Sequence, residues 1–189
     1  MSGKILLLNG ASSSGKTTLA RALQAILPLP FWHYSIDHLL AANVLPRTRI
    51  ESNEFPWSGL RQSFFEGFHR SVLSLADAGN NLIIEHIVES RECMNRLLLL
   101  LEGRDVFIVG LHCPAEELER REVARGDRRT GEALADLRTV HTFGVYDFEV
   151  VSTAAPEANA RLVASAWSSR GVPSAFTSMF AHMRAQSAA

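Results

Sequence analysis

Short apolar runs and longer amphipathic stretches alternate along these 189 residues, the pattern of repeated strand–helix units that build a parallel sheet. Lys4–Leu8 reads as a buried first strand. The helix after it spans Gly15–Leu27, with Leu19, Ala22, Leu23 and Ile26 on one face. Pro28 and Pro30 break that helix, and Phe31–Ile36 reads as a second strand ending at Asp37. From Gly59 the spacing of Leu60, Phe64, Phe68, Val72 and Leu75 predicts a long amphipathic helix that stops near Gly79. Leu82–Val88 is a third strand with a charged interruption, Glu85-His86, and Arg91–Leu101 returns as a helix. Val106–His112 is a fourth, continuously apolar strand, as at the centre of a parallel sheet.

Pro114 opens the next helix, and Glu116, Glu117 and Glu119 suit its positive N-terminal end. Glu132–His141 reads as another helix, Glu149–Ser152 as a short fifth strand and Glu157–Ser169 as a further helix. In the tail Ser174–Arg184, Phe176, Met179, Phe180 and Met183 recur at helical spacing. Such a stripe usually packs on its own domain and less often docks a partner. His38–Trp57, with Pro46, Pro56 and mixed polarity, has no period and reads as a loop or a substrate-side insertion. With no repeat or linker, the expectation is one α/β domain over residues 1–189, with a lid near 120–131 and a C-terminal helix near 174–184.

Composition narrows the class. Apolar residues make up 47% and charged residues 21%, values of neither a disordered nor a membrane-spanning chain. A formal net charge of -1 argues against a dedicated nucleic-acid binder, whose footprint is normally basic. Cys93 and Cys113 are too few for a disulfide framework and lack metal-ligand spacing, so they read as reduced thiols. The apolar runs Ile5–Leu8 and Leu97–Leu101 are too short for a signal peptide or a membrane helix. The expectation is a soluble, cytoplasmic protein with no nucleic-acid or membrane partner; a homo-oligomer is compatible with the sequence.

Gly10-Ala11-Ser12-Ser13-Ser14-Gly15-Lys16-Thr17 fits G-x-x-x-x-G-K-[ST] at every fixed position. The glycines let the backbone turn several N–H groups inward around phosphates, and the helix starting near Gly15 adds its positive end. Lys16 can reach the β- and γ-phosphates, the Thr17 hydroxyl is placed to ligate Mg²⁺, and Thr18 adds a hydroxyl on the α-phosphate side. An apolar strand before the loop and an amphipathic helix inside it weigh against a chance Gly/Ser turn. A nucleoside triphosphate with Mg²⁺ is therefore the expected ligand.

Phosphorylating an alcohol also needs a base near the acceptor and cations on the transferred group. Asp37 and Glu85 end predicted strands, and strand carboxyl ends line the ligand crevice of an open α/β sheet. Asp37 is the candidate base, with a helix N-cap for His38–Ala42 as its plain alternative. Glu85 either holds Mg²⁺, binds substrate or pairs with an arginine; His86 either touches substrate or is a hydrogen-bonded wall residue. In Glu119–Arg129, Arg121, Arg125 and Arg128 share one helical face that can clamp phosphates. The bland alternative pairs these arginines with Glu117, Glu122 and Asp127 on a solvated surface.

These blocks occur in a familiar order. Leu8-Asn9-Gly10 through Thr17, Tyr34-Ser35-Ile36-Asp37, Ile83-Ile84-Glu85, Cys113-Pro114, Glu119–Glu122 with Ala124–Arg128, and Val140-His141 with Tyr146-Asp147 together resemble the chloramphenicol phosphotransferase-like P-loop kinases. The resemblance implies a P-loop NTPase fold of adenylate-kinase type: a five-stranded parallel sheet, helices on both faces and an arginine-bearing lid. It also implies ATP, Mg²⁺ and γ-phosphoryl transfer to a hydroxyl of a small molecule, with Asp37 as base and Arg125 and Arg128 as lid arginines. The chain departs from the family pattern at Val151, where an acid is common, and at Glu85-His86, where two aspartates stand in the best-known member. Leu39–Trp57 shows no match. An ATP-dependent small-molecule O-phosphotransferase is the leading expectation, with an antibiotic as one possible acceptor. A nucleoside, nucleotide or metabolite kinase of shikimate or gluconate type is the second, with Arg47, Arg49 and Arg61 available for an anionic acceptor. A nucleotide-dependent switch without transfer is the third.

Overall fold

Five parallel strands form one sheet: β1 (Ile5–Asn9), β2 (Phe31–Ser35), β3 (Asn81–His86), β4 (Val106–His112) and β5 (Phe148–Val151). Their spatial order is β2-β3-β1-β4-β5. The computed structural model describes residues 2–125 and 131–187. Between and after the strands run α1 (Lys16–Ile26), α2 (Ile36–Ala41), α3 (Arg47–Glu51), α4 (Trp57–Asp77), α5 (Arg91–Leu100), α6 (Ala115–Arg125), α7 (Glu132–Leu137), α8 (Pro156–Ser168) and α9 (Ala175–Ser187).

Side chains alternate across a strand, so β1 feeds two cores. Ile5 and Leu7 join Leu82, Ile84 and Ile108 beneath Phe68 and Val72 of α4, Met94 and Leu97 of α5 and Phe176 of α9. Leu6 and Leu8 join Ile83, Phe107 and Val109 beneath Leu19 and Leu23 of α1 and Val163 and Trp167 of α8. With both faces covered, the central strands read as unbroken apolar runs rather than alternating ones. Each fully buried Leu or Ile contributes about 1.5–3 kcal/mol. Met179, Phe180 and Met183 of α9 pack against the first core, so the apolar stripe of the tail lies on this sheet.

Two boundaries shift with consequences for the site. β2 ends at Ser35, one residue earlier than its apolar pattern suggested, because the Ser35 hydroxyl accepts the His38 N–H at 3.3 Å and caps α2. Asp37 therefore lies in the first turn of a helix, and the capping role open to it belongs to Ser35. The unperiodic stretch holds α2 and α3, both short and neither with a buried residue. β1 lies between β3 and β4, and the crevice at the carboxyl ends of these strands is the reversal point where open α/β sheets bind ligands.

Candidate functional site

A cleft of ≈ 650 Å³ opens at that crevice and joins Lys16, Thr17, Asp37, Glu85, Arg121 and Arg125 in one lining. Its volume lies within the usual range for small-molecule sites, roughly 300–1,000 Å³. Gly15 has φ +96°, a left-handed turn that places the start of α1 at the floor. Gly10 is held by proximity: a Cβ there would sit 2.7 Å from the Leu111 carbonyl oxygen. The Ser13 and Ser14 hydroxyls are buried and have no hydrogen-bond partner among the described residues, a costly condition that a phosphate would relieve. Lys16 is buried, and its ammonium donates to the Gly10 and Ala11 carbonyls, each at 2.8 Å. That brace fixes the lysine in the loop whose phosphates it would contact.

Thr17 Oγ1 donates to Glu85 Oε2 at 3.0 Å. The other Glu85 oxygen meets His33 Nε2, and both side chains are under a tenth exposed. Burial pushes the Glu85 pKa up, but the His33 hydrogen bond, the Lys16 charge and the Thr17 hydroxyl outweigh it and hold the carboxyl below its ordinary range. An ion pair with an arginine was one of the alternatives for Glu85; its hydrogen-bond partners here are His33 and Thr17. Two hard oxygen donors, a hydroxyl and an ionised carboxylate, suit a Mg²⁺ ion.

Asp37 is exposed and lines the cleft with Leu40 of the same helix. His86 also contributes to the lining, but its ring is sunk in the wall. It stacks on His69 at 5.0 Å between centroids, with the two Nε2 atoms 2.7 Å apart, and burial drives its pKa down to about 3. Its geometry is that of a wall residue.

The arginine run divides. Arg121 bridges two loops: its guanidinium donates to the Ser14 carbonyl at 3.1 Å and to the Ser152 carbonyl at 2.9 Å, with Glu117 on Nε at 2.6 Å. Arg125, exposed at the end of α6, shares the cleft with it. Arg128 and Asp127 lie outside the described residues. Glu117 pairs with Arg120 and Arg121 as the bland reading required, but Glu122 does not serve the surface. It is 3% exposed and accepts the Gly131 and Ala133 N–H groups at 2.6 and 2.8 Å, so from α6 it caps the start of α7.

Sequence reasoning missed His33, Asp136, Trp57 and Phe65. His33 is found only once β2 and β3 are paired in register, which sets Ser35 opposite Glu85. Asp136 of α7 accepts the Ser12 N–H at 2.9 Å, tying that helix to the phosphate loop. Trp57 and Phe65 of α4 supply the apolar side of the cleft, with Arg61 stacked 4.6 Å over Phe65 and bonded to Glu89 at 2.6 and 2.8 Å.

Known proteins with this fold and sequence pattern agree with one another. Two Mycobacterium tuberculosis proteins, provisionally named O-phosphotransferases, are 34% identical over 173 residues, 82% of this chain and 77% of theirs. Among solved structures, the M. tuberculosis APS kinase CysC aligns with a TM-score of 0.67 at 20% identity, over 89% of this chain and 99% of that one. A gluconokinase from Sinorhizobium meliloti gives 0.62 at 17% identity, over 88% and 92% of the two chains. A shikimate kinase from Aquifex aeolicus gives 0.56 at 16%, over 84% and 92%. At such identities these structures establish the P-loop kinase fold and nothing narrower. The family model described as chloramphenicol phosphotransferase-like protein matches residues 3–168, and with the phosphate loop, the Thr17–Glu85 contact and the arginine-bearing α6 in one cleft, the chain belongs to the chloramphenicol phosphotransferase-like family.

Proposed function

We propose that the protein is an ATP-dependent O-phosphotransferase that moves the γ-phosphoryl group to a hydroxyl of a small, non-anionic molecule, with Mg²⁺ as the metal. The observation that carries this reading is one cleft in which the Lys16 and Thr17–Glu85 cluster shares its space with Asp37. Thr17 and Glu85 would hold Mg²⁺ directly or through its water shell, and the ion would neutralise charge on the bridging phosphates. Asp37 takes the acceptor's hydroxyl proton as the acceptor oxygen bonds to the γ-phosphorus. The bond from that phosphorus to the β-bridging oxygen breaks and ADP leaves. Lys16, Arg125 and Arg128 are the cations for the transferred group, and in Arg121 we see a residue that joins the nucleotide-side loops.

Charge on the acceptor side favours this reading over a nucleotide or sugar-acid kinase. Each arginine there has an acid: Arg47 sits 3.4 Å from Glu51, Arg49 donates to Glu54 at 2.9 Å and stacks on Phe55, and Arg61 is bonded twice to Glu89. Of the three, only Arg61 lines the cleft, among Ile36, Leu40, Trp57 and Phe65. An anionic acceptor would compete with Glu89 for Arg61 in an exposed pair, and it would meet the carboxylates of Asp37 and Glu85 as well.

The test is a library of uncharged, cationic and anionic alcohols, antibiotics included, scored for acceptor-stimulated ADP release with Mg²⁺. Turnover is expected on non-anionic alcohols, and Asp37→Asn should lower kcat by about 10²–10⁴-fold while ATP binding stays. Strong turnover on a nucleoside monophosphate or a sugar acid overturns the acceptor class. Normal turnover by Asp37→Asn removes the base, and no stimulated release across the library favours a nucleotide switch.

A further inference from the structure

Behind the acceptor wall lies a cluster that phosphoryl transfer does not use. His69 comes from the middle of α4, His86 from the end of β3 and Cys93 from the first turn of α5. One ligand atom from each lies within 4.8 Å of the other two. Both imidazoles are buried, and Phe65 and Phe68 close around them. The Nε2···Nε2 separation of 2.7 Å means that the two rings share one proton. A buried pair of imidazoles is an expensive way to fill a wall that aromatic residues already line.

We propose that His69, His86 and Cys93 form a binding site for a borderline-soft divalent cation of the zinc class. Two imidazole nitrogens and a thiolate are the donor set such a cation selects, whereas Mg²⁺ prefers the oxygens of Thr17 and Glu85. Metal–nitrogen bonds of about 2.0–2.1 Å in a tetrahedron separate the nitrogens by roughly 3.3 Å. The rings therefore part by roughly half an ångström from their present 2.7 Å. Both imidazoles are buried, and the neutral imidazole is the form that binds metals. Binding balances as one proton lost: the ring that donates the Nε2–H shifts that proton to Nδ1, and the Cys93 thiol releases its own as the sulfur–metal bond forms. The bound ion ties α4, which carries Trp57 and Phe65, to β3 and α5, so it stiffens the acceptor wall without touching the phosphate loop.

Cobalt(II) titration of the full, reduced, chelator-treated chain in excess Mg²⁺ tests this. One equivalent should produce a near-ultraviolet thiolate-to-cobalt band with visible bands of tetrahedral type, and Zn²⁺ should bleach both. Cys93→Ser should lose the near-ultraviolet band, His69→Gln should fail to saturate at one equivalent, and Cys113→Ser should behave as the parent. If Cys93→Ser does not fold, Zn²⁺ protection of Cys93 against a thiol reagent, mapped by mass spectrometry on the unaltered chain, replaces it. Absence of both band and protection overturns the site. So does a band that survives Cys93→Ser or disappears with Cys113→Ser. The titration needs neither ATP nor an acceptor, so its result is independent of the assigned reaction.

Discussion

The phosphate-loop side of the cleft centres on one stretch, Gly10–Thr17, whereas the proposed acceptor side comes from α2, α4 and the loop after β3. The first is buried and cross-braced: Lys16 bonds its own loop, Asp136 and Arg121 hold it from two helices, and Glu85 anchors Thr17. The second is open, with Asp37, Leu40 and Glu89 exposed and its arginines in surface pairs. A site that must recognise the same triphosphate is best fixed by backbone geometry. A site that selects among acceptors changes with single side chains and can be altered at little cost to the fold.

That contrast can be broken at several points. Lys16→Ala should have the largest effect, a loss in kcat/KM on the order of 10³-fold or more with every acceptor, because it removes a cation from a water-excluded phosphate site. A loss confined to some acceptors would place Lys16 on the wrong side. Glu85→Gln should come next, weakening the apparent Mg²⁺ affinity about 10–100-fold, with His33→Gln giving a smaller change of the same kind through the orientation of Glu85. A Mg²⁺ titration of ADP release measures both, and an unchanged midpoint in Glu85→Gln removes the metal role. Trp57→Ala should raise the KM for an apolar acceptor by about tenfold through lost apolar contact, leaving the KM for ATP unchanged. Parallel shifts in both constants would dissolve the division into two halves. Glu122→Gln should have the mildest consequence for catalysis but destabilise the fold. Two backbone N–H groups lose a charged acceptor, which costs about 1–3 kcal/mol and lowers Tm by a few degrees in a chain of this length.

Legibility followed the same division. The five strands and the long helices were readable because both sheet faces are covered, which makes Leu6–Leu8 and Val106–Val109 unbroken apolar runs and leaves single stripes such as Phe64, Phe68, Val72 on the helices. The phosphate loop was readable because its chemistry needs fixed residues at fixed spacing. His33 and Asp136 were not. His33 reaches Glu85 only through the pairing of β2 with β3, and Asp136 reaches Ser12 only because α7 folds back on the loop. Glu122 carried the opposite lesson. In sequence it is one more acid among arginines, yet in the fold it is a buried cap.

For this chain, local sequence determined the parallel α/β plan, the nucleotide loop and the family, since each depends on residues close together or on a periodicity. Tertiary structure alone decided that Glu85 answers to His33 and Thr17, that Arg61 pairs with Glu89, and that His69, His86 and Cys93 meet. The physical reason is common to all three. Each is a contact between side chains on different elements, whose energy depends on distance, burial and partner charge, and none of those quantities exists until the elements have packed.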